Sequence, residues 1–305
     1  MKRVTQIVAV MAVIAMQLLS AQAAAVIYQT GFEPSEGYDT NLDLAGQKGW
    51  IAAGSGGNGL GTGFFPGKGF QAYIGYAAPS TNDQSLYLYR PINKTLPQVQ
   101  FSATMEIIDS TTTNRDDFYW SVFNQQGDQL FILDFDNSDL NVYYFLDSTN
   151  GTGRIWSGLS FTNGGAYPLS ISMDFTSNRW SAVFNGKSVA TNQPITTKGA
   201  PLNLGDIDVA WAFSAIPGDN YMVFDDYRIT ATSPPPKVAL LGLANGKPAL
   251  RLTGLNNSPY AVDASTNLLA WVPLQTNNTA NGRFDLIDDS APGSSVRFYR
   301  ARWVP

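Results

Sequence analysis

The run Ser170-Ile171-Ser172-Met173-Asp174-Phe175 is followed by Thr176-Ser177-Asn178 and then by Arg179-Trp180-Ser181-Ala182-Val183-Phe184. Apolar and polar residues alternate in the first run, which puts Ile171, Met173 and Phe175 on one face, the period of a half-buried strand. Only three turn-forming residues separate the two runs, which is a β-hairpin signature, and Asn185-Gly186 closes the second with another tight turn. Working outward, Phe118–Phe123, Gln129–Phe135 and Asn141–Leu146 repeat the pattern with aromatic and β-branched residues. No later segment has the period of a long amphipathic helix. Many short strands at roughly 8–12-residue spacing predict an all-β chain, an antiparallel sandwich or barrel.

Composition excludes whole classes of chemistry. The 305 residues contain no His and no Cys, and only three Glu (Glu33, Glu36, Glu106) against 21 Asp. Ser-His-Asp and Cys-His catalysis, His-ligated zinc, disulfides and thiolate nucleophiles are therefore ruled out. Charged residues are 14% of the chain and the net charge is −5, which gives no footprint for nucleic acid or an anionic membrane.

Lys2 and Arg3 precede an apolar stretch from Ile7 to Leu19, and Ala21-Gln22-Ala23 supplies small residues before Ala24. This three-part layout predicts a secretory signal peptide over residues 1–23, and its apolar part is shorter than the ~20 residues that span a bilayer. The chain is thus expected to be secreted, periplasmic or at the cell surface, by a bacterial export route, with no transmembrane segment in the mature protein. Pro234-Pro235-Pro236 cannot join a central strand, so residues 232–237 read as a linker between a large domain, 24–231, and a small β module, 238–305.

Gly54-Ser55-Gly56-Gly57-Asn58-Gly59 matches G-x-G-x-x-G in form. The Leu60-Gly61-Thr62-Gly63 that follows cannot open the helix a phosphate needs, so the stretch reads as a mobile surface loop. Asp134 to Asp139 resembles a calcium loop but lacks the Gly and Glu an EF-hand requires, leaving a polar turn. Asp225 and Asp226 cannot share a strand face, so one of them points inward and needs a partner. Arg228 would serve on the Asp226 face, and calcium would serve Asp225. Asp134 and Asp136 do share a face, but at a turn. Glu33 and Glu36 flank Pro34-Ser35 near a terminus, a poor place for a cleft pair, and no G-x-S-x-G elbow is present, so no catalytic residues are assigned. Exposed aromatics would stack on sugar rings; Trp120, Trp156 and Trp211, with Tyr143 and Tyr144, are the candidates.

Gly31-Phe32-Glu33, Gly46-Gln47-Lys48-Gly49-Trp50, Tyr167–Phe175, Asn178–Gly186 and Asn220–Ile229 together resemble the concanavalin A-like lectin/glucanase superfamily in its LamG-like jelly-roll form. The resemblance covers most of the mature chain. It implies two antiparallel sheets with the first and last strands adjacent, which would bring Glu33 near Asp225 at a structural calcium. The Glu-x-Asp-x-x-Glu strand of laminarinase-like members is absent, as is the His of the alginate-lyase branch. Residues 238–305 resemble a short β module found at the C-termini of such secreted proteins. The expectation is a secreted, non-catalytic protein that binds an extracellular polysaccharide or other glycan. A structural or surface-display protein and an enzyme using Asp carboxylates are the alternatives.

Overall fold

The computed structural model describes residues 12–13, 24–80, 82–147, 153–213, 216–291 and 296–305. It divides into two compact units, Ala24–Thr232 and Ser233–Pro305, the latter grouped with the N-terminal residues. Of residues 1–23, where a signal peptide is expected, only Ala12 and Val13 (β1) lie within the described residues. Among those residues, the only helical turn is Pro34–Glu36.

The first unit is an antiparallel jelly-roll sandwich. One sheet has seven strands in the order β11 (Ile155–Ser160), β10 (Asn141–Leu146), β9 (Gln129–Asp136), β8 (Asp117–Phe123), β15 (Asp206–Ala212), β6 (Ser85–Tyr89) and β3 (Ile51–Ala53). The other runs β14 (Lys187–Gln193), β13 (Arg179–Phe184), β12 (Tyr167–Asp174), β7 (Gln98–Ile108), β16 (Tyr221–Thr232), β5 (Phe70–Gly75) and β4 (Asn58–Thr62), with β2 (Ala25–Thr30) also pairing with β16. The first and last strands are therefore neighbours, with Tyr227 opposite Thr30. The glycine-rich stretch is not wholly loop: β4 lies within it as an edge strand, with Gly59 opposite Tyr73.

The hairpin at 170–184 forms as its pattern requires, with Met173 opposite Trp180 and Asp174 opposite Arg179. Asp174 Oδ1 accepts the N–H groups of Thr176 and Ser177 at 2.9 and 3.2 Å, which ends the strand at the turn. Ile171, Met173 and Phe175 are buried. Trp180 stacks on Phe131 from the other sheet with ring centroids 3.9 Å apart and planes at 6°. Trp50, Phe101, Trp120, Phe224 and Tyr227 form a second aromatic cluster between the sheets. Each such side chain contributes about 1.5–3 kcal/mol or more through removal from water.

The second unit holds a three-stranded sheet, β17 (Lys237–Ala244), β18 (Lys247–Thr253) and β21 (Arg283–Ile287). A second sheet contains β22 (Val296–Trp303), β19 (Pro259–Ser265) and β20 (Val272–Asn278), with β1 alongside β22. Thr232 ends β16 and Lys237 opens β17, so the strand-free connection is Ser233–Pro236. Leu250, Leu252, Tyr260, Val262 and Trp303 are buried in this unit. Asp263 is held there by Arg300 and Arg302, and Asp288 by Arg297.

Candidate functional site

Strand alternation gives the seven-stranded sheet one inner and one outer face. Phe118, Trp120, Val122, Leu133, Phe135, Val142, Val209 and Trp211 fill the core, so their chain neighbours point outward. Two of the aromatic candidates are corrected by this. Trp120 and Trp211 lie fully buried between the sheets, Trp120 donating to Met105 Sδ (3.3 Å) and Trp211 to Asp116 Oδ2 (3.1 Å). Tyr144 also turns inward, edge-on to Trp180. Trp156, at 59% exposure, and Tyr143 lie on the outer face.

Register assembles those two with residues that the sequence did not single out. Tyr87 lies opposite Ala210, Ala210 opposite Tyr119, and Tyr119 opposite Asp134. Asp134 lies opposite Tyr143, and Tyr143 opposite Trp156. The result is one row, perpendicular to the strands, that crosses β6, β15, β8, β9, β10 and β11. At about 4.8 Å per strand it spans about 24 Å.

Beside this row lie more carboxylates. Asp117 is two residues before Tyr119, and Asp136 is two after Asp134; Phe118 faces Phe135, so Asp117 and Asp136 neighbour each other across β8 and β9. Arg154 Nε meets Asp134 Oδ2 at 2.7 Å, and its Nη2 meets Asp136 Oδ2 at 2.5 Å. The same guanidinium sits 3.8 Å above the Tyr143 ring. Tyr143 in turn donates its hydroxyl to Asp139 at 2.6 Å. Asp136 Oδ1 accepts the N–H groups of Ser138 and Asp139, so this carboxylate both closes the turn and faces the row. Asp134 is only 1% exposed, and its Oδ1 has no hydrogen-bond partner.

The electrostatics separate these acids. Burial, then the charges of Asp134 and Asp136, push Asp117 up to about 7 against the pull of Arg154. Burial raises Asp134 to about 6, and the Arg154 contact limits the rise. Burial, with Asp134 and Asp117 nearby, also raises the Tyr119 phenol. Farther along the same face, burial and the Asp206 charge raise Asp208 far above the ordinary carboxylate range. At neutral pH the face thus carries a proton-holding carboxyl, Asp117, beside two acids that share one cation, Arg154.

The expected metal pair lies elsewhere, where β2 leaves its pairing with β16. A Cβ on Gly31 would fall 3.7 Å from Asp225 Oδ1 and 4.0 Å from Glu33 Cγ, so the two acids flank that glycine. Glu33 accepts the Phe70 N–H at 3.0 Å, and Asp225 accepts the Asp226 N–H at 2.6 Å. Asp225 is 2% exposed. Burial raises it to about 6, with Asp226 and Glu33 adding to the rise. The partner suggested for Asp226 is corrected: Lys68 binds it at 2.9 Å, in place of Arg228, because the strand bulges between Asp225 and Arg228. Among the described residues no group of three or more His, Cys, Asp and Glu is placed to hold a metal. Hard oxygen donors fit calcium, and backbone carbonyls and water would have to complete its shell.

A cavity of about 500 Å³ lies on the outer face of the eight-stranded sheet, lined by Gln98, Gln100, Ser172, Asn192 and Thr230 among others. Its one aromatic, Trp180, turns its ring into the core. It lacks the exposed rings of the row, and its acid, Asp174, is held low by the turn it caps, so the site is assigned to the seven-stranded face.

No protein-family model matches the sequence, and no curated protein matches it significantly. Solved structures share the fold at low identity. A sialidase is 9% identical with a TM-score of 0.47 over 68% of this chain, which spans only 19% of the sialidase. An alginate lyase in complex with an alginate trisaccharide is 14% identical, with a TM-score of 0.48, over 68% of this chain and 99% of its own. A carbohydrate-binding module from Bacillus subtilis is 11% identical, with a TM-score of 0.40, over 62% and 100%. The expectation of a non-catalytic protein is corrected on this point. Enzymes stand among the chains of similar fold, and Asp134 lies within a strand rather than at a turn, with Asp117 opening the strand beside it.

Proposed function

We propose that the protein is exported and binds an extracellular polysaccharide along the Tyr87–Tyr119–Asp134–Tyr143–Trp156 row. The observation that carries this reading is the row itself: aromatic rings and hydrogen-bonding groups aligned across six adjacent strands. A pyranose offers an apolar face to a ring and hydroxyls to hydrogen-bonding groups, and the tyrosines of the row carry both. A rigid sheet holds these groups at fixed spacing, so little ordering cost accompanies binding. Affinity electrophoresis of the mature protein through gels containing a panel of polysaccharides tests it: retardation by at least one chain is expected, and unretarded migration in every gel argues against it.

A second reading is favoured by the split between Asp117 and its neighbours. Asp117 would protonate a glycosidic oxygen, while Asp134 or Asp136 would activate water at the anomeric carbon; the bond from that carbon to the leaving oxygen breaks and a new one to water forms. Release of reducing ends from a bound polysaccharide, lost in Asp117→Asn, supports this reading. Binding without release leaves the protein a binder alone.

Calcium belongs in the proposal at Glu33 and Asp225. It would supply the positive charge that Asp225 lacks and tie the exit of β2 to β16, a role in stability.

A further inference from the structure

We infer that the glycan bound on this face is uncharged, and that polyuronates and sulfated chains are turned away. The inference rests on the binding reading above and names the class of chain the row accepts. Five carboxyl groups project on the outer face: Asp117 from β8, Asp134 and Asp136 from β9, and Asp206 and Asp208 from β15. The cation seated among them is Arg154, already engaged by both Asp134 and Asp136 and laid over Tyr143.

An incoming uronate or sulfate would therefore meet the Asp134 and Asp136 carboxylates and a guanidinium already engaged by both. To take Arg154 for itself, the ligand would have to compete with both ion pairs. Any weakening of the Arg154 contact is costly to Asp134, a carboxylate only 1% exposed. An uncharged chain meets no such cost. Its hydroxyls bring no charge to the face, and its ring faces can rest on Trp156 and Tyr119.

The test uses the mature full-length protein with laminarin, hydroxyethylcellulose and a galactomannan, each beside its C6-carboxylated derivative, at 20 mM and 500 mM salt. The inference expects at least one uncharged chain to bind, and its carboxylated form to bind about tenfold or more weakly at low salt. The gap should narrow at high salt, because screening shortens the reach of the repulsion. The double variant D117N/D136N should narrow it at low salt as well. If a carboxylated chain binds as tightly as its parent at 20 mM salt, the row still binds glycans and this inference alone falls. If no chain of either charge binds, the glycan reading fails and takes the inference with it.

Discussion

Arg154 and Asp134 are joined by an ion pair of 2.7 Å on the outer face of the seven-stranded sheet, with the guanidinium resting on the ring of Tyr143. The contact orients the one cation of the row among the described residues and keeps a nearly buried acid ionised near neutral pH. It also links three strands, since Asp134 lies on β9, Tyr143 on β10, and Arg154 immediately precedes β11.

Arg154→Ala strands Asp134 and Asp136 without their cation. A loss of about 2–3 kcal/mol is expected at pH 8, less than for a fully buried pair because Arg154 is partly exposed. At pH 5, where Asp134 takes up a proton, the loss should shrink. Urea unfolding of both proteins at the two pH values checks this, and an equal loss at both would mean that the charge on Asp134 is not what Arg154 stabilises.

The raised carboxyls give the protein a stability that falls as pH rises. Asp117 is held near 7, and Asp134 and Asp225 near 6, so each binds its proton more tightly in the fold than in the unfolded chain. Their contribution is complete below the ordinary Asp value and is lost as pH climbs through 6 and 7. Acids held low, such as Asp219 at about 2, act in the opposite sense, but only below that ordinary value. Between pH 4.5 and 7.5 in EDTA, calorimetry should show the midpoint falling by several degrees, at about 2–4 °C per kcal/mol. Asp117→Asn should flatten the slope. A midpoint that rises over this interval contradicts the assignment.

Calcium should raise the unfolding midpoint. Saturation a hundredfold above the dissociation constant stabilises a fold by about 2.7 kcal/mol. Glu33→Gln and Asp225→Asn should abolish the response, with Asp225→Asn itself more stable than the parent in EDTA at pH 7.5. No calcium response in the parent protein, by calorimetry or direct titration, removes the ion from that pair.

Trp120→Ala should cost about 3–5 kcal/mol, the usual price of emptying a packed aromatic core position. Trp156→Ala should leave the midpoint within about 1 °C, because its ring is mostly in solvent. Chemical denaturation of the two variants distinguishes core from face. A small loss for Trp120→Ala would place that ring outside the core.

Much of the fold was legible in the hairpin at 170–184, where alternation and turn residues agree and the pairing is local. The site was legible only in pieces. Tyr143 and Trp156 could be named as aromatics, but nothing local distinguishes them from Trp120 and Trp211, because facing depends on which side of a strand the core lies. Asp134 and Asp136 stood out as a same-face pair, yet they read as a turn because the Asx geometry of Asp136 begins inside the strand. Asp117, Tyr119 and Arg154 were missed. Their meaning arises from register across β8, β9 and β10, and one strand's period does not encode its neighbour's offset. The alternation of Asp117 and Tyr119 with Phe118 and Trp120 was the available signal that an acidic and aromatic face lay opposite the core.

The most direct test of the central claim is the affinity of the mature protein and of Trp156→Ala for a polysaccharide that retards the parent, measured by titration calorimetry. Removal of an exposed stacking ring at the end of the row should weaken binding by about 1–2 kcal/mol, roughly five- to thirtyfold, at an unchanged unfolding midpoint. An unchanged affinity in Trp156→Ala, and again in Tyr143→Ala, would place the ligand somewhere other than the outer face of the seven-stranded sheet.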